Sequence, residues 1–87
     1  MPRFLVVHTA PFTEEELVAR AKSAPGYMPK GVSWKCSYCY FDGDKHFCEW
    51  EAPNKEAIER LFKKLDVPFD AIYPVKIFNA ATASLEK

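Results

Sequence analysis

Four consecutive apolar residues near the N terminus, Phe4 to Val7, constrain the fold of this chain more than any other feature. They lie in segment 3–9, which reads as a β-strand, and the side chains of a strand point alternately to its two faces. A strand that is apolar on both faces has to be covered on both faces. We therefore predict that this strand lies in the middle of a sheet whose two faces are both covered.

Two amphipathic helices are predicted further along the chain. Thr13 and Glu16 have the spacing of a capping box, and Pro25-Gly26 ends the helix that this box begins. Asn54 is a suitable N-cap for the second helix, which Asp66-Val67-Pro68 ends. Each helix has an apolar stripe on one side, so we expect both helices to pack on the sheet.

Three further strands complete the predicted fold. Segments 31–41 and 45–51 flank Asp42-Gly43, which is a hairpin signal. The last strand, 72–78, contains Pro74, which cannot donate to a strand ladder and therefore belongs at a sheet edge. The order βαββαβ is the split βαβ motif. We predict an α+β, ferredoxin-like fold with a four-stranded antiparallel sheet, strand order 4-1-3-2, and two helices on one face.

The length of 87 residues leaves room for one domain only. We predict a single ferredoxin-like domain over residues 1–78 and a flexible C-terminal tail over residues 79–87. Because both helices lie on one face, a second copy of the same sheet is the expected cover for the other face. The predicted assembly is a homodimer of the dimeric α/β-barrel type.

The charge balance weighs against two classes of partner. The chain has 12 basic and 12 acidic residues, so it has no field of one sign to attract nucleic acid or an anionic membrane. No apolar run approaches the roughly 20 residues that span a bilayer, and residues 1–3 do not resemble the start of a signal peptide. We expect a cytoplasmic protein with reduced cysteines and neither a nucleic-acid nor a membrane partner.

The hairpin leaves two strand registers open. The first, with a three-residue loop at 41–43, gives these opposite pairs: Trp34 with Trp50, Cys36 with Cys48, Tyr38 with His46, and Lys35 with Glu49. The second, with a two-residue loop at 42–43, makes Cys39 a neighbour of His46. It also places Lys35 opposite Trp50, so the binary pattern favours the first register.

The CxxC spacing of Cys36 and Cys39 is the most conspicuous motif in the sequence. Such pairs bind metals or exchange disulfides when a turn brings the two sulfur atoms together. Here the motif lies within a predicted strand, where residues three apart point to opposite faces. We therefore interpret the two cysteines as small apolar residues of a half-buried strand.

A site for a soft divalent metal ion is the first functional interpretation. Residues two apart on a strand are about 7 Å from each other, so His46 and Cys48 share a face with one further thiol in either register. His8 ends the first strand, where loops often position functional groups. The candidate metal ligands are His8, Cys48, His46 and Cys36. The alternative is that these side chains only pack in an aromatic core.

An aromatic-lined pocket is the second interpretation. Two facing sheets of a dimer would enclose a space lined by Trp34, Tyr38, Tyr40 and Trp50. A small enzyme could use His8 or His46 there as an acid–base, because histidine titrates near neutrality. The third interpretation is an interaction module without a ligand. Of the three, we favour a small metal- or ligand-binding protein that acts as a homodimer.

Three segments of the chain carry a family resemblance: Val7-His8-Thr9, Asp44 to Cys48 leading to Glu51-Ala52-Pro53, and Asp70 to Val75. Together they resemble a family of small bacterial proteins of unknown function that includes a nickel-binding member with a dimeric ferredoxin-like fold. The resemblance implies a homodimer and a site for nickel or a similar divalent transition ion. His8 and Cys48 match the family pattern in place. The pattern of the nickel-binding relatives also has two histidines, four apart on the second helix, at the positions where this chain has Leu61 and Leu65.

Overall fold

A computed structural model describes residues 2–86. Met1 and Lys87, the outer ends of the predicted domain and tail, lie outside the described residues. The elements of the main domain are β1 (Arg3–Thr9), α1 (Glu14–Ser23), β2 (Ser33–Tyr40), β3 (Lys45–Glu51), α2 (Lys55–Leu65) and β4 (Ala71–Val75). The main sheet has the order β2-β3-β1-β4, and its strand pairs are antiparallel. The predicted α+β, ferredoxin-like fold is confirmed.

The first strand lies between β3 and β4, as its apolar sequence predicts. Phe4 and Val6 are buried in one cluster with the apolar side of α2, whereas Leu5 and Val7 are half-buried on the other face. Strand alternation sends these two pairs of side chains to opposite sides of the sheet. The helices therefore cover one face, which we call the covered face. The second face, which contains Leu5 and Val7, is called the open face.

The two helices begin as predicted but pack very differently. Thr13 Oγ1 accepts from the Glu16 amide, and the Glu16 carboxylate accepts from the Thr13 amide, so the capping box is formed. Asn54 caps α2 by accepting from the Ala57 amide. Buried residues of α2 join the core, namely Ile58, Leu61 and Phe62. In contrast, α1 has no buried residue, so its side chains bury little apolar surface to hold it on the sheet.

The hairpin combines both predicted registers through one β-bulge. Next to the turn, the pairs are those of the second register: Tyr40 with Lys45, Cys39 with His46, Ser37 with Cys48, and Cys36 with Glu49. Beyond the bulge, Trp34 faces Trp50, as in the first register. The prediction that Cys36 faces Cys48 was wrong. The extra residue of the bulge, Lys35, moves Cys36 to the face opposite Trp34.

The C-terminal segment differs from the predicted course. The last strand of the main sheet ends at Val75 rather than at Phe78, and Pro74 lies on an edge strand as predicted. Where the sequence predicts a loose tail, β5 (Phe78–Asn79) pairs with β6 (Ser84–Leu85) in a short separate hairpin. Between residues 2 and 86, no helix is long and apolar enough to cross a membrane.

Candidate metal centre

Two histidines lie directly opposite each other on neighbouring strands. His8 of β1 pairs with His46 of β3 in the antiparallel ladder, and both side chains belong to the covered face. Cross-strand partners in such a ladder have Cα atoms about 4.5–5.5 Å apart. His8 is 3% exposed and His46 is 0% exposed. The strand alternation that buries Phe4 and Val6 therefore also buries this polar pair.

A backbone carbonyl holds the ring of His8. Its Nδ1 lies 2.7 Å from the carbonyl oxygen of Pro68, and the ring packs edge-on against Phe12 and Phe62. Because a carbonyl oxygen can only accept, Nδ1 carries the proton, and Nε2 of the neutral ring keeps its lone pair. Burial lowers the pKa of His8 below its ordinary value of 6.5, against the opposing effect of the Pro68 hydrogen bond. His8 is therefore neutral at pH 7.

The ring of His46 has no hydrogen bond. Both Nδ1 and Nε2 are buried and have no partner among residues 2–86. The ring lies between two aromatic rings, with centroid distances of 5.7 Å to Phe12 and 5.5 Å to Phe41. A buried polar group left without a partner costs about 1–3 kcal/mol. This imidazole therefore needs an explanation beyond packing.

Cys48 is the next residue on the same face of β3. Its side chain is buried, and Ser37 Oγ donates to Sγ over 2.9 Å. Burial raises the pKa of the Cys48 thiol to about 11, so the residue is protonated at neutral pH. A thiol has to lose its proton to bind a metal ion. Cys48 is therefore an inert thiol unless a cation displaces its proton.

Cys36 lies away from the other three predicted ligands. It is exposed and faces Glu49 on the open face, whereas Cys39 faces His46 on the covered face. The sulfur atoms of the CxxC motif therefore point to opposite sides of the sheet, as the strand interpretation predicts. Within residues 2–86, no group of three or more His, Cys, Asp and Glu side chains is arranged to hold a metal ion. The two imidazoles are cross-strand partners on the covered face.

The four predicted pocket aromatics lie on two different faces. Trp34 and Trp50 stack on the covered face, with ring centroids 6.0 Å apart and an interplanar angle of 10°. Tyr38 and Tyr40 are exposed on the open face, beyond the bulge. Tyr38 donates to Glu49, and this hydrogen bond raises the pKa of Tyr38 to about 12. Within one chain the four side chains do not line a common pocket.

Three residues around the histidine pair were missed by sequence reasoning. Phe12 and Phe41 enclose His46, and Pro68 supplies the acceptor for His8. Phe12 lies in a loop and Phe41 in the short 3-10 turn of the hairpin, where an aromatic residue gives no periodic signal. The Pro68 acceptor is a backbone carbonyl, which no residue type encodes. Only the chain reversal after α2 brings it to His8.

Comparisons with known proteins agree with the fold. The family model described as "Nickel responsive protein SCO4226-like" matches residues 4–75. The chain is similar to the crystal structure of SCO4226 from Streptomyces coelicolor A3(2), with 20% identity and a TM-score of 0.71. The similarity covers 84% of this chain and 94% of that chain. At this identity the likeness shows the fold alone.

No curated protein sequence matches the chain. The predicted resemblance to a small bacterial family with a nickel-related member is confirmed by the family model. That match runs from the first strand of the sheet to the last. The chain therefore belongs to the SCO4226-like family of nickel responsive proteins.

Proposed function

We propose that this chain is a small metal-binding protein that takes up a divalent transition ion between His8 and His46, with nickel as the first candidate. The observation that carries this proposal is His46, whose two buried nitrogens lack any partner among residues 2–86 and which lies opposite His8. The family description adds that a related protein is nickel responsive. Imidazole nitrogen is a good ligand for nickel.

The environment of His8 suits a metal ligand. Metal-binding histidines usually donate their second ring N–H to a carbonyl or carboxylate, which fixes the tautomer and the ring orientation. The hydrogen bond from His8 Nδ1 to Pro68 is of this kind and leaves Nε2 as the ligand atom. Since burial lowers the pKa of His8, a metal ion does not compete with a proton for this nitrogen at pH 7.

Cys48 is the proposed third ligand, and Cys36 has no part in the site. The Cys48 side chain accepts a hydrogen bond from Ser37, so it has to turn away from Ser37 to reach an ion at His46. A bound cation would favour the thiolate, against the burial that raises the pKa of the thiol. Solvent would complete the coordination of the ion.

The test is calorimetric titration of untagged, metal-free protein with nickel chloride. We expect the wild type to bind one ion per chain, and His46→Leu and His8→Gln to lose at least about tenfold in affinity, which is about 1.4 kcal/mol. Cys36→Ser is the matched control, because it changes a thiol on the open face. Nickel affinity that is equal in His46→Leu and the wild type would refute the site.

We also propose that the protein acts as a homodimer in which the open faces of two sheets meet. This face contains half-buried apolar residues of the central strands and exposed tyrosines: Leu5, Val7, Phe47, Tyr38, Tyr40 and Tyr73. The formal net charge of zero means that two copies do not repel each other strongly. The second copy would cover the apolar side of β1 that the helices leave open.

A further inference from the structure

A second feature of the covered face is a small cavity between the sheet and α1. Its volume is about 50 Å³. The lining is almost entirely apolar and aromatic, and includes Leu17, Trp34, Trp50, Phe62, Leu65 and Val67. For comparison, an engineered apolar cavity of about 150 Å³ binds benzene. The cavity as it stands therefore accommodates a compact group smaller than an aromatic ring.

Trp50 lines the cavity and has a hydrogen-bond donor without an acceptor. Trp50 is 5% exposed, and its Nε1 is buried with no partner among residues 2–86. The stacked ring of Trp34 differs in this respect, since its Nε1 donates to Ser37 Oγ over 2.9 Å. Buried tryptophan N–H groups usually find an acceptor. The N–H of Trp50 is therefore free to donate to a bound acceptor.

A cation without a counter-ion lies on another part of the lining. Arg20 of α1 is half-buried, and no ion pair of its guanidinium is found in the described part of the chain. Its guanidinium lies over the ring of Phe12, 5.1 Å from the centroid. Arginine binds carboxylates through two parallel hydrogen bonds. Arg20 and Trp50 therefore place a cation and an unpartnered N–H among the residues that line the apolar cavity, and both groups complement an anion.

The helix that closes the cavity is weakly held. No residue of α1 is buried, and Val18 is 45% exposed. Displacing α1 outward therefore exposes little apolar surface of the helix itself. A ligand somewhat larger than the closed cavity can be admitted by movement of this helix without disruption of α2 or the sheet.

We propose that this cavity binds a small monocarboxylic acid with a short branched carbon chain. The chain lies among the apolar residues, and the carboxylate accepts from Arg20 and from the Trp50 N–H. This site goes beyond the proposed metal function. It overlaps the metal site at Phe12 and Phe62, whose rings pack on His8, and at two proposed ligands, His8 and Cys48. Its test uses metal-free protein and variants that leave both of those residues in place.

The experiment is an NMR titration of the metal-free full-length chain with isobutyrate, followed through its two tryptophan indole N–H signals. We expect saturable binding that shifts the Trp50 signal downfield and moves the Trp34 signal much less. Isobutyramide has the same shape without the charge. We expect it to bind about tenfold more weakly, the equivalent of one charge-assisted hydrogen bond of about 1.4 kcal/mol.

Variants separate the proposed contacts. Arg20→Gln is expected to lower the affinity for isobutyrate about tenfold and the affinity for isobutyramide less than about twofold. Arg60→Gln, on the exposed side of α2, is expected to change neither affinity. Trp50→Phe is expected to lower the affinity for both ligands. If Trp50→Phe does not fold, Leu17→Trp replaces it, because it fills the cavity from α1 and should abolish binding. Absence of saturable binding, or equal effects of the two arginine variants, would overturn the proposal and indicate that water satisfies Trp50.

Discussion

At the residue scale, two histidines on the same face have opposite energetic roles. The His8 ring is satisfied by the Pro68 carbonyl, whereas both His46 nitrogens are buried without a partner. An unpartnered imidazole destabilises the metal-free protein, and binding of a metal ion by this imidazole would offset that cost. The proposed function therefore implies that the metal-free protein is destabilised at His46 in particular.

Replacing His46 by leucine tests this cost directly. His46→Leu removes two unpartnered nitrogens and keeps an apolar side chain between Phe12 and Phe41. We expect its free energy of unfolding, measured by urea denaturation without metal, to rise by about 1–3 kcal/mol. His8→Leu is the matched control and is expected to lower stability, because it leaves the Pro68 carbonyl without its donor. A loss of stability in both variants would contradict this assignment.

His8 is expected to make the stability of the protein depend on pH just below neutrality. Because burial lowers its pKa, the unfolded chain takes up a proton at His8 below pH 6.5 before the folded chain does. The free energy of unfolding is therefore expected to fall as the pH decreases from about 7 to about 5.5. Urea denaturation of metal-free protein across this range measures the slope. His8→Gln should give a shallower slope, and an unchanged slope would show that other groups determine it.

At the element scale, the bulge at Lys35 explains why the hairpin followed neither predicted register throughout. Each register is right on one side of the bulge, since Trp34 faces Trp50 and Cys36 faces Glu49. One additional residue makes the side chains beyond it point to the opposite face of the sheet, although they continue to alternate. No composition signal marks such a residue within an alternating strand. The separation of Trp34 from Tyr38 and Tyr40 could not be predicted for the same reason.

The observed register makes a prediction about disulfide formation. Ser37 faces Cys48, and directly opposite residues are within the Cα distance of a disulfide. In a background carrying Cys36→Ser and Cys39→Ser, Ser37→Cys is expected to form a disulfide with Cys48 on mild oxidation. Free-thiol counting by mass spectrometry measures it. The control variant carries Cys39→Ser alone and keeps Cys36 and Ser37. Its two thiols, Cys36 and Cys48, should stay free. A disulfide from Cys36 would support the discarded register.

Other elements were predictable because local signals agreed with the fold. The apolar run Phe4 to Val7 placed β1 in the centre, Pro74 placed β4 at the edge, and the caps at Thr13 and Asn54 placed the helix starts. The sequence proposed His8, His46 and Cys48 as candidate ligands, and all three share the covered face. It could not show that His8 and His46 are opposite partners. That relation follows from the pairing of β1 with β3, which are far apart in sequence.

At the scale of the whole molecule, the open face should decide the oligomeric state. Phe47 of β3 and Val7 of β1 are cross-strand partners, and both side chains are half-buried. Phe47→Glu places a charge in the proposed interface, and an unpaired buried charge is costly. We expect light scattering after size exclusion to show a dimer for the wild type and a monomer for this variant.

The control for the dimer is Val18→Glu, which changes an exposed apolar residue of α1 on the other side of the molecule. This variant should remain a dimer. A wild type that is monomeric at all tested concentrations would exclude the homodimer. Dissociation caused equally by both variants would show that the open face is not the interface.

The proposed function places a nickel ion between His8 and His46. X-ray absorption at the nickel edge of loaded, untagged protein tests it most directly, because outer-shell scattering from imidazole rings can be counted. We predict two imidazole ligands in the wild type, one in His46→Leu, and two in the Cys36→Ser control. A spectrum without imidazole scattering, or one that is the same in the wild type and His46→Leu, would contradict it.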